Sequence, residues 1–388
     1  MQIAERVRTL TPALIDVIKA RTDELRQAGA DIVNLGQAIP NLPPSPKALE
    51  AARRALVEPD THVYSPDAGL LALRQALAAA LAREHDLSAD PEREILITAG
   101  ANQAFLLALL TLLEPGDRVV LPGPYFFNHE MAVRIASGIP AEAPLDPAAG
   151  FQLRVEDLRP YLKGARAVVL CSPNNPTGTV YDPAELARLA RELAARDIAL
   201  LVDETYRHLV YGEARYFNPA ALPEAHDTVI TVGSFSKSYS LTGWRVGYMV
   251  APALFVEEAI KVQDTMIICA AVVAQKAALG ALQEGPEFIV ARRAALDRRR
   301  RLLAQGLAAI PSLHWQPTEG AFFAFVRVEG CTDSLQLAMD VLGQAHVVTI
   351  PGGLFGPAGE GYLRLSYGSV EEEELVEACG RMGRFFGG

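Results

Sequence analysis

The chain has 388 residues, of which 50% are hydrophobic and 21% charged, with a formal net charge of −10. That length exceeds what one hydrophobic core usually supports, and that composition excludes a disordered or membrane-embedded chain. The acidity argues against nucleic-acid binding, because the one cationic run, Arg298 to Arg301, sits in a helical pattern and reads as a charged helix face.

Taken from the start, residues 1–8 lack the apolar segment of a signal peptide. Residues 12–28 predict an amphipathic helix ending at Gly29, with a short apolar stretch at 32–35. The run from Pro40 to Pro46 holds four prolines and reads as an extended crossing segment. From 47 to 280, short apolar runs alternate with helical ones. Strands are expected at 95–98, 118–121, 167–171, 198–202, 229–232 and 246–250, with helices such as 183–195 between them. Strands apolar on both sides and separated by helices predict an α/β fold: a mainly parallel mixed sheet with helices on both faces. The longest apolar run, 104–113, is too short to span a bilayer and reads as a buried helix, so no membrane role is expected. After 281 the texture changes to an Arg-rich helix, a run at 321–326, a further helix, a run at 362–367 and a last helix. The expected organisation is a large domain at 47–280 and a smaller α+β domain made of 1–46 and 281–388. The four cysteines form no CxxC pair, which suits reduced thiols in a cytoplasm.

Ligands of open α/β sheets bind beyond the carboxyl ends of the strands. The residues just after each expected strand are therefore informative. After 95–98 come Gly100, Ala101 and Asn102, opening a helix whose N-terminus can hold a phosphate; an ordinary turn is the alternative. After 118–121 comes Tyr125, a stacking ring or a core aromatic. After 167–171 comes Ser172-Pro173-Asn174-Asn175-Pro176-Thr177-Gly178, a site loop or plain loop punctuation. Asp203 and Tyr206 follow 198–202, and Asp203 could also cap the next helix. Ser234, Ser236 and Lys237 follow 229–232, and Arg245 lies eight residues further on. The chain holds six lysines against thirty arginines, so a lysine flanked by hydroxyls calls for a reason. An amine can form a Schiff base where a guanidinium cannot; a solvated surface turn is the alternative.

Such a set suits pyridoxal 5'-phosphate: an amine for its aldehyde, a carboxylate for its ring nitrogen, a phenol and an amide for its ring oxygen, and an arginine with serines for its phosphate. Taken in order, Ser-Pro-Asn-Asn-Pro-Thr-Gly, Asp203-Glu204-Thr205-Tyr206, Ser234-Phe235-Ser236-Lys237 and Gly243-Trp244-Arg245-Val246-Gly247-Tyr248 resemble the fold type I pyridoxal-phosphate aminotransferases, the aspartate aminotransferase superfamily. The resemblance runs from about Asn34 to Ser366. It implies that Lys237 is the Schiff-base lysine and proton shuttle, with Asp203 and Tyr206 also catalytic. It further implies that Asp203 pairs with the ring nitrogen, Tyr206 and Asn175 bond the ring oxygen, and Tyr125 stacks on the ring. Gly100, Ala101, Asn102, Ser234, Ser236 and Arg245 are implied around the phosphate, with the strand after Arg245 running antiparallel.

The same resemblance places Arg364, otherwise an ordinary strand arginine, on the substrate α-carboxylate, and Ala38, where glycine is usual, in a substrate-contacting loop, with Tyr125 and Asn175 also implied at the substrate. Tyr64 would reach the phosphate of a partner subunit, which implies a homodimer with shared active sites. The implied reaction moves an amino group between an L-amino acid and a 2-oxo acid in two half-reactions. The branch most resembled includes the aromatic, kynurenine and methionine aminotransferases. The segment 263–270 is apolar and offers no second cation, and with 125–129 it leans towards aromatic or other apolar amino acids. A C–S β-lyase on the same scaffold, such as a cystathionine β-lyase relative, is the alternative. A dicarboxylate-specific aspartate aminotransferase is less expected, and no metal is implied.

Overall fold

The computed structural model describes residues 1–8, 10 and 14–387. Of the helix expected over 12–28, Pro12 and Ala13 lie outside the described residues, and the rest forms Leu14–Gln27.

A seven-stranded sheet organises the larger part. Its order is Ile95–Thr98, Gly247–Val250, Val229–Ser234, Ala199–Asp203, Ala165–Cys171, Arg118–Gly123 and Ile139–Pro144. Only Gly247–Val250 runs against its neighbours. Parallel strands need crossovers, and helices such as Ala101–Leu112 and Pro183–Ala194 supply them. Both faces of the sheet are covered, so strands such as Ile95–Thr98 are buried at every position. The second of these helices starts where sequence chemistry dictates: Asp182 accepts the amide N–H groups of Ala184 and Glu185, and Pro183 takes the first position. Its buried face carries Leu186, Leu189 and Leu193, each stabilising by about 1.5–3 kcal/mol.

The strand Ile139–Pro144 was not expected from its sequence, Ile-Pro-Ala-Glu-Ala-Pro. Two prolines argue against a central strand, and the structure places it at the sheet edge, where a missing N–H costs no ladder bond.

A four-stranded antiparallel sheet lies later in the chain, in the order Ile350–Pro351, Tyr362–Ser366, Phe323–Val328 and Leu313–His314. Val33–Asn34 pairs with Val347–Val348, tying the N-terminal segment to this part. The Arg-rich helix Pro286–Ala308 packs on the last helix, Glu372–Gly387. Its cationic run is not wholly a solvated face: Arg299 is buried and pairs with Glu371 at 2.5 Å, while Arg298 reaches Glu372. The helix Val272–Leu282 runs through position 280 and packs on the helices Pro46–Ala55 and Leu71–His85. Among the described residues, no helix is long and apolar enough to cross a membrane.

Candidate active site

The strands ending at Thr98, Gly123, Cys171, Asp203 and Ser234 point the same way, so their carboxyl ends share one edge of the sheet. Gly247 pairs with both Thr98 and Ser234, so the antiparallel strand returns Arg245 to that edge, as expected. A cavity of about 170 Å³ opens there. Ala101 and Asn102 from the helix N-terminus, Ser234, Ser236 and Lys237 from one turn, and Arg245 line it. Asn175, Asp203, Tyr206 and Ala38 complete the expected lining.

Lys237 Nζ donates to the carbonyl oxygen of Ala38. Burial and the positive charges of Arg364 and Arg245 pull the Lys237 amine down to about 8, against the opposing pull of Asp203. Burial alone would raise the Asp203 carboxyl, but hydrogen bonds from His129 and Thr205 outweigh it and hold the group below the ordinary carboxylate range. His129 Nε2 lies 3.2 Å from Asp203 Oδ2, and the Thr205 amide donates to Oδ1 at 2.9 Å. Burial pushes the Tyr206 phenol well above its usual value, so it stays an O–H donor.

Gly100 does not line the cavity itself; it makes room. Its φ is +86°, and a Cβ there would lie 2.4 Å from Arg245 Nη2. Only glycine lets the guanidinium approach this helix start.

Arg364 also lies behind the lining. Its Nη1 donates to Asn175 Oδ1 at 2.9 Å and its Nη2 to the carbonyl of Gly36 at 2.7 Å. The side chain is buried against the rings of Phe323 and Phe355, and burial lowers its pKa to about 10, which leaves it charged at neutral pH.

Tyr125, expected on the ring face, does not line the cavity. Its ring packs against Gly356, where a Cβ would meet it at 2.8 Å, and burial with Glu130 and Glu142 nearby pushes its phenol up. The backbone N–H of Tyr125 donates to the carbonyl of Phe355. The aromatic residue that lines the cavity is its neighbour Phe126. Tyr64 is 75% exposed and lies off this chain's own cavity.

Four residues of the site carried no assignment in the sequence: Phe126, His129, Cys171 and Thr205. His129 sits in the first turn of the helix Phe127–Ile135, stacked on Phe105 at 4.2 Å, and reaches Asp203 from a different strand's crossover. A buried histidine shortly after the rigid turn was the only available signal.

Residues 30–382 match the family described as aminotransferase class I and II. The probable aspartate/prephenate aminotransferase of Aquifex aeolicus is 36% identical, covering 98% of this chain and 97% of that protein. Aromatic-amino-acid aminotransferase 2 of Thermococcus litoralis is 33% identical, covering 98% and 97%. Among solved structures, the aspartate aminotransferase of Thermus thermophilus with maleate superposes with a TM-score of 0.93 at 35% identity, covering 99% of both chains. The chain belongs to the class I and II aminotransferases, enzymes that use pyridoxal 5'-phosphate.

Proposed function

We propose that this aminotransferase takes aromatic or other apolar L-amino acids as donors. The observation that carries the reading is the composition of the cavity wall. Phe126, Ala38 and Cys171 line it, and its only cations among the described residues are Lys237 and Arg245, with Arg364 just behind. Arg364 would take the α-carboxylate, which leaves no free cation for a second carboxylate. Aspartate is then the poorer substrate. A panel of donors against 2-oxoglutarate and pyruvate tests this: phenylalanine or tyrosine should exceed aspartate in kcat/KM. A preference for aspartate of about tenfold would overturn it.

The donor set fits the cofactor. The Lys237 amine is partly neutral near neutral pH, the carboxylate is held ionised, and Gly100 leaves space where an anion can approach the helix start under Arg245. Ala101, Asn102, Ser234, Ser236 and Arg245 would hold the phosphate, Asp203 the ring nitrogen, and Asn175 and Tyr206 the ring oxygen, with Phe126 on the ring face. When bound, the cofactor supplies an electron sink for the substrate α-carbon. Lys237 Nζ accepts the α proton and holds it for return, which a pKa near neutrality favours. His129 keeps Asp203 oriented and ionised. The Asn175 amide oxygen is used by Arg364, so its NH2 group is the donor left for a ligand.

The proposal includes two lobes, 47–280 and 1–46 with 281–388, supported by the separation of the two larger sheets along the chain. It includes a homodimer in which exposed Tyr64 completes the neighbour's phosphate site. Four unpaired cysteines support a cytoplasmic location.

A further inference from the structure

The hydroxyls around Lys237 divide into two sets. Ser234 and Ser236 line the cavity. Ser238 and Ser240 instead bond to groups behind the turn. Ser238 Oγ lies 2.9 Å from His208 Nδ1, and Ser240 Oγ meets Arg292 Nη2. His208 stands two residues beyond Tyr206, so the Ser238 contact joins the turn that carries Tyr206 to the turn that carries Lys237. The imidazole is itself fixed. Its Nε2 lies 2.9 Å from Glu84 Oε2, and its ring meets Tyr239 edge-on.

Glu84, His85 and His208 bring ligand-type atoms within 4.8 Å of one another, and His85 Nε2 is buried without a partner. A divalent cation is nevertheless opposed by what surrounds them. Arg207 Nε lies 3.4 Å from His208 Nε2, and its Nη2 lies 3.8 Å from Glu84. Arg83 holds the other Glu84 oxygen at 2.6 Å. Two guanidinium groups already serve this carboxylate, and Arg207 is held in place by buried Glu204 at 2.8 Å. Glu84 and His208 are satisfied as a bracket behind the lysine turn.

We propose that His208 is a positioning residue for Lys237: through Ser238 it holds the lysine turn against the Tyr206 turn and keeps the amine in the cavity. This rests on reading Lys237 as the cofactor-bearing amine. A lysine reaches its target through a flexible four-carbon stem, so the placement of its backbone turn sets where Nζ can go. A misplacement of about 1 Å can cost about a hundredfold in rate. The proton affinity of Lys237 reports that placement, because burial, Arg364 and Arg245 depress it and Asp203 raises it. An amine released towards water regains an ordinary lysine value.

The test uses the full-length protein freed of cofactor. Acylation of Lys237 by acetic anhydride is followed against pH by peptide mass spectrometry. Ser238→Ala removes the hydroxyl. His208→Gln keeps an amide near Glu84 but leaves Ser238 unbonded, whereas His208→Asn keeps an amide at the Nδ1 position. Ser238→Ala and His208→Gln should raise the titration midpoint by about one unit or more, while His208→Asn stays near wild type and melting temperatures stay close. An unchanged midpoint in the first two variants overturns the proposal. So does an equal rise in all three with lowered melting temperatures, which would mark general loosening. Zinc that copurifies with the protein and is lost from His208→Gln overturns it as well, since the imidazole would then serve a metal. Failure of the underlying reading shows separately, as borohydride reduction of the holoenzyme attaching cofactor to another lysine.

Discussion

Arg364 Nη1 donates to Asn175 Oδ1 across 2.9 Å, joining a strand of the smaller sheet to the loop that leaves the larger one. The guanidinium carbon lies 4.7 Å from the ring centre of Phe323 and 5.1 Å from that of Phe355, and Gly36 takes a second donor. A planar fork held this way presents parallel N–H groups to a carboxylate.

Arg364→Lys keeps the charge and loses the fork. A hydrogen bond to a charged group contributes about 1.5–3 kcal/mol, so the amino-acid substrate should weaken by about ten- to a hundredfold. Cofactor affinity should change far less, because Arg364 is not among the groups that line the cavity. Separate titrations of cofactor and substrate analogue check this, and equal losses for both would remove Arg364 from the substrate site.

Lys237 gives a pH prediction. Its folded pKa of about 8 lies below the ordinary lysine value of about 10.4. Between those values the unfolded chain binds the proton and the folded chain does not, so stability rises with falling proton binding in neither state alone but with the excess carried by the unfolded chain, that is, with pH through that window. Below it, folding carries the full penalty of burying a charged amine, on the order of 3 kcal/mol. Lys237→Met should therefore stabilise the cofactor-free protein near neutral pH, with the gain vanishing as pH rises towards about 10. Denaturant melts of both proteins across pH measure it; a constant difference would mean the amine is not depressed. The same variant should bind cofactor without covalent attachment after borohydride.

Phe126 and Tyr125 should separate cleanly. Phe126→Ala removes the ring that lines the cavity and should weaken cofactor binding by about 1–3 kcal/mol, the usual worth of a stacked ring and its buried area. Tyr125→Phe should leave cofactor affinity nearly unchanged, since its phenol faces Glu130 and Glu142. Equilibrium titration with pyridoxal phosphate reads both. A reversed order would restore Tyr125 as the stacking residue.

Much of this site was legible because its residues follow strands directly. Asp203 and Ser234 end strands, and Lys237 comes three residues later, so the parallel sheet alone delivers them to one edge. The part that stayed hidden depends on side-chain direction. Phe126 lines the cavity while its neighbour Tyr125 packs against Gly356, a contact made far away in the chain. His129 meets Asp203 only once a crossover helix is docked. The edge strand Ile139–Pro144 was masked by its prolines, which local propensity penalises and edge position permits.

Tyr64 tests the dimer. It is 75% exposed on a loop stapled from beneath by buried Gln275, which donates to Ser65 and accepts from Leu70. A rigid loop that presents an exposed phenol suits a contact made outside its own chain. Tyr64→Phe removes one donor, so cofactor binding should loosen by about 1.5–3 kcal/mol with the fold intact. Mixing it with Lys237→Ala sharpens the test at limiting cofactor. In a shared site, one site of the mixed dimer carries both defects and the other carries neither. Activity should then rise above that of either parent at equal total protein. A mixture that never exceeds its parents, or a monomer fully active at assay concentration, would confine Tyr64 to its own chain.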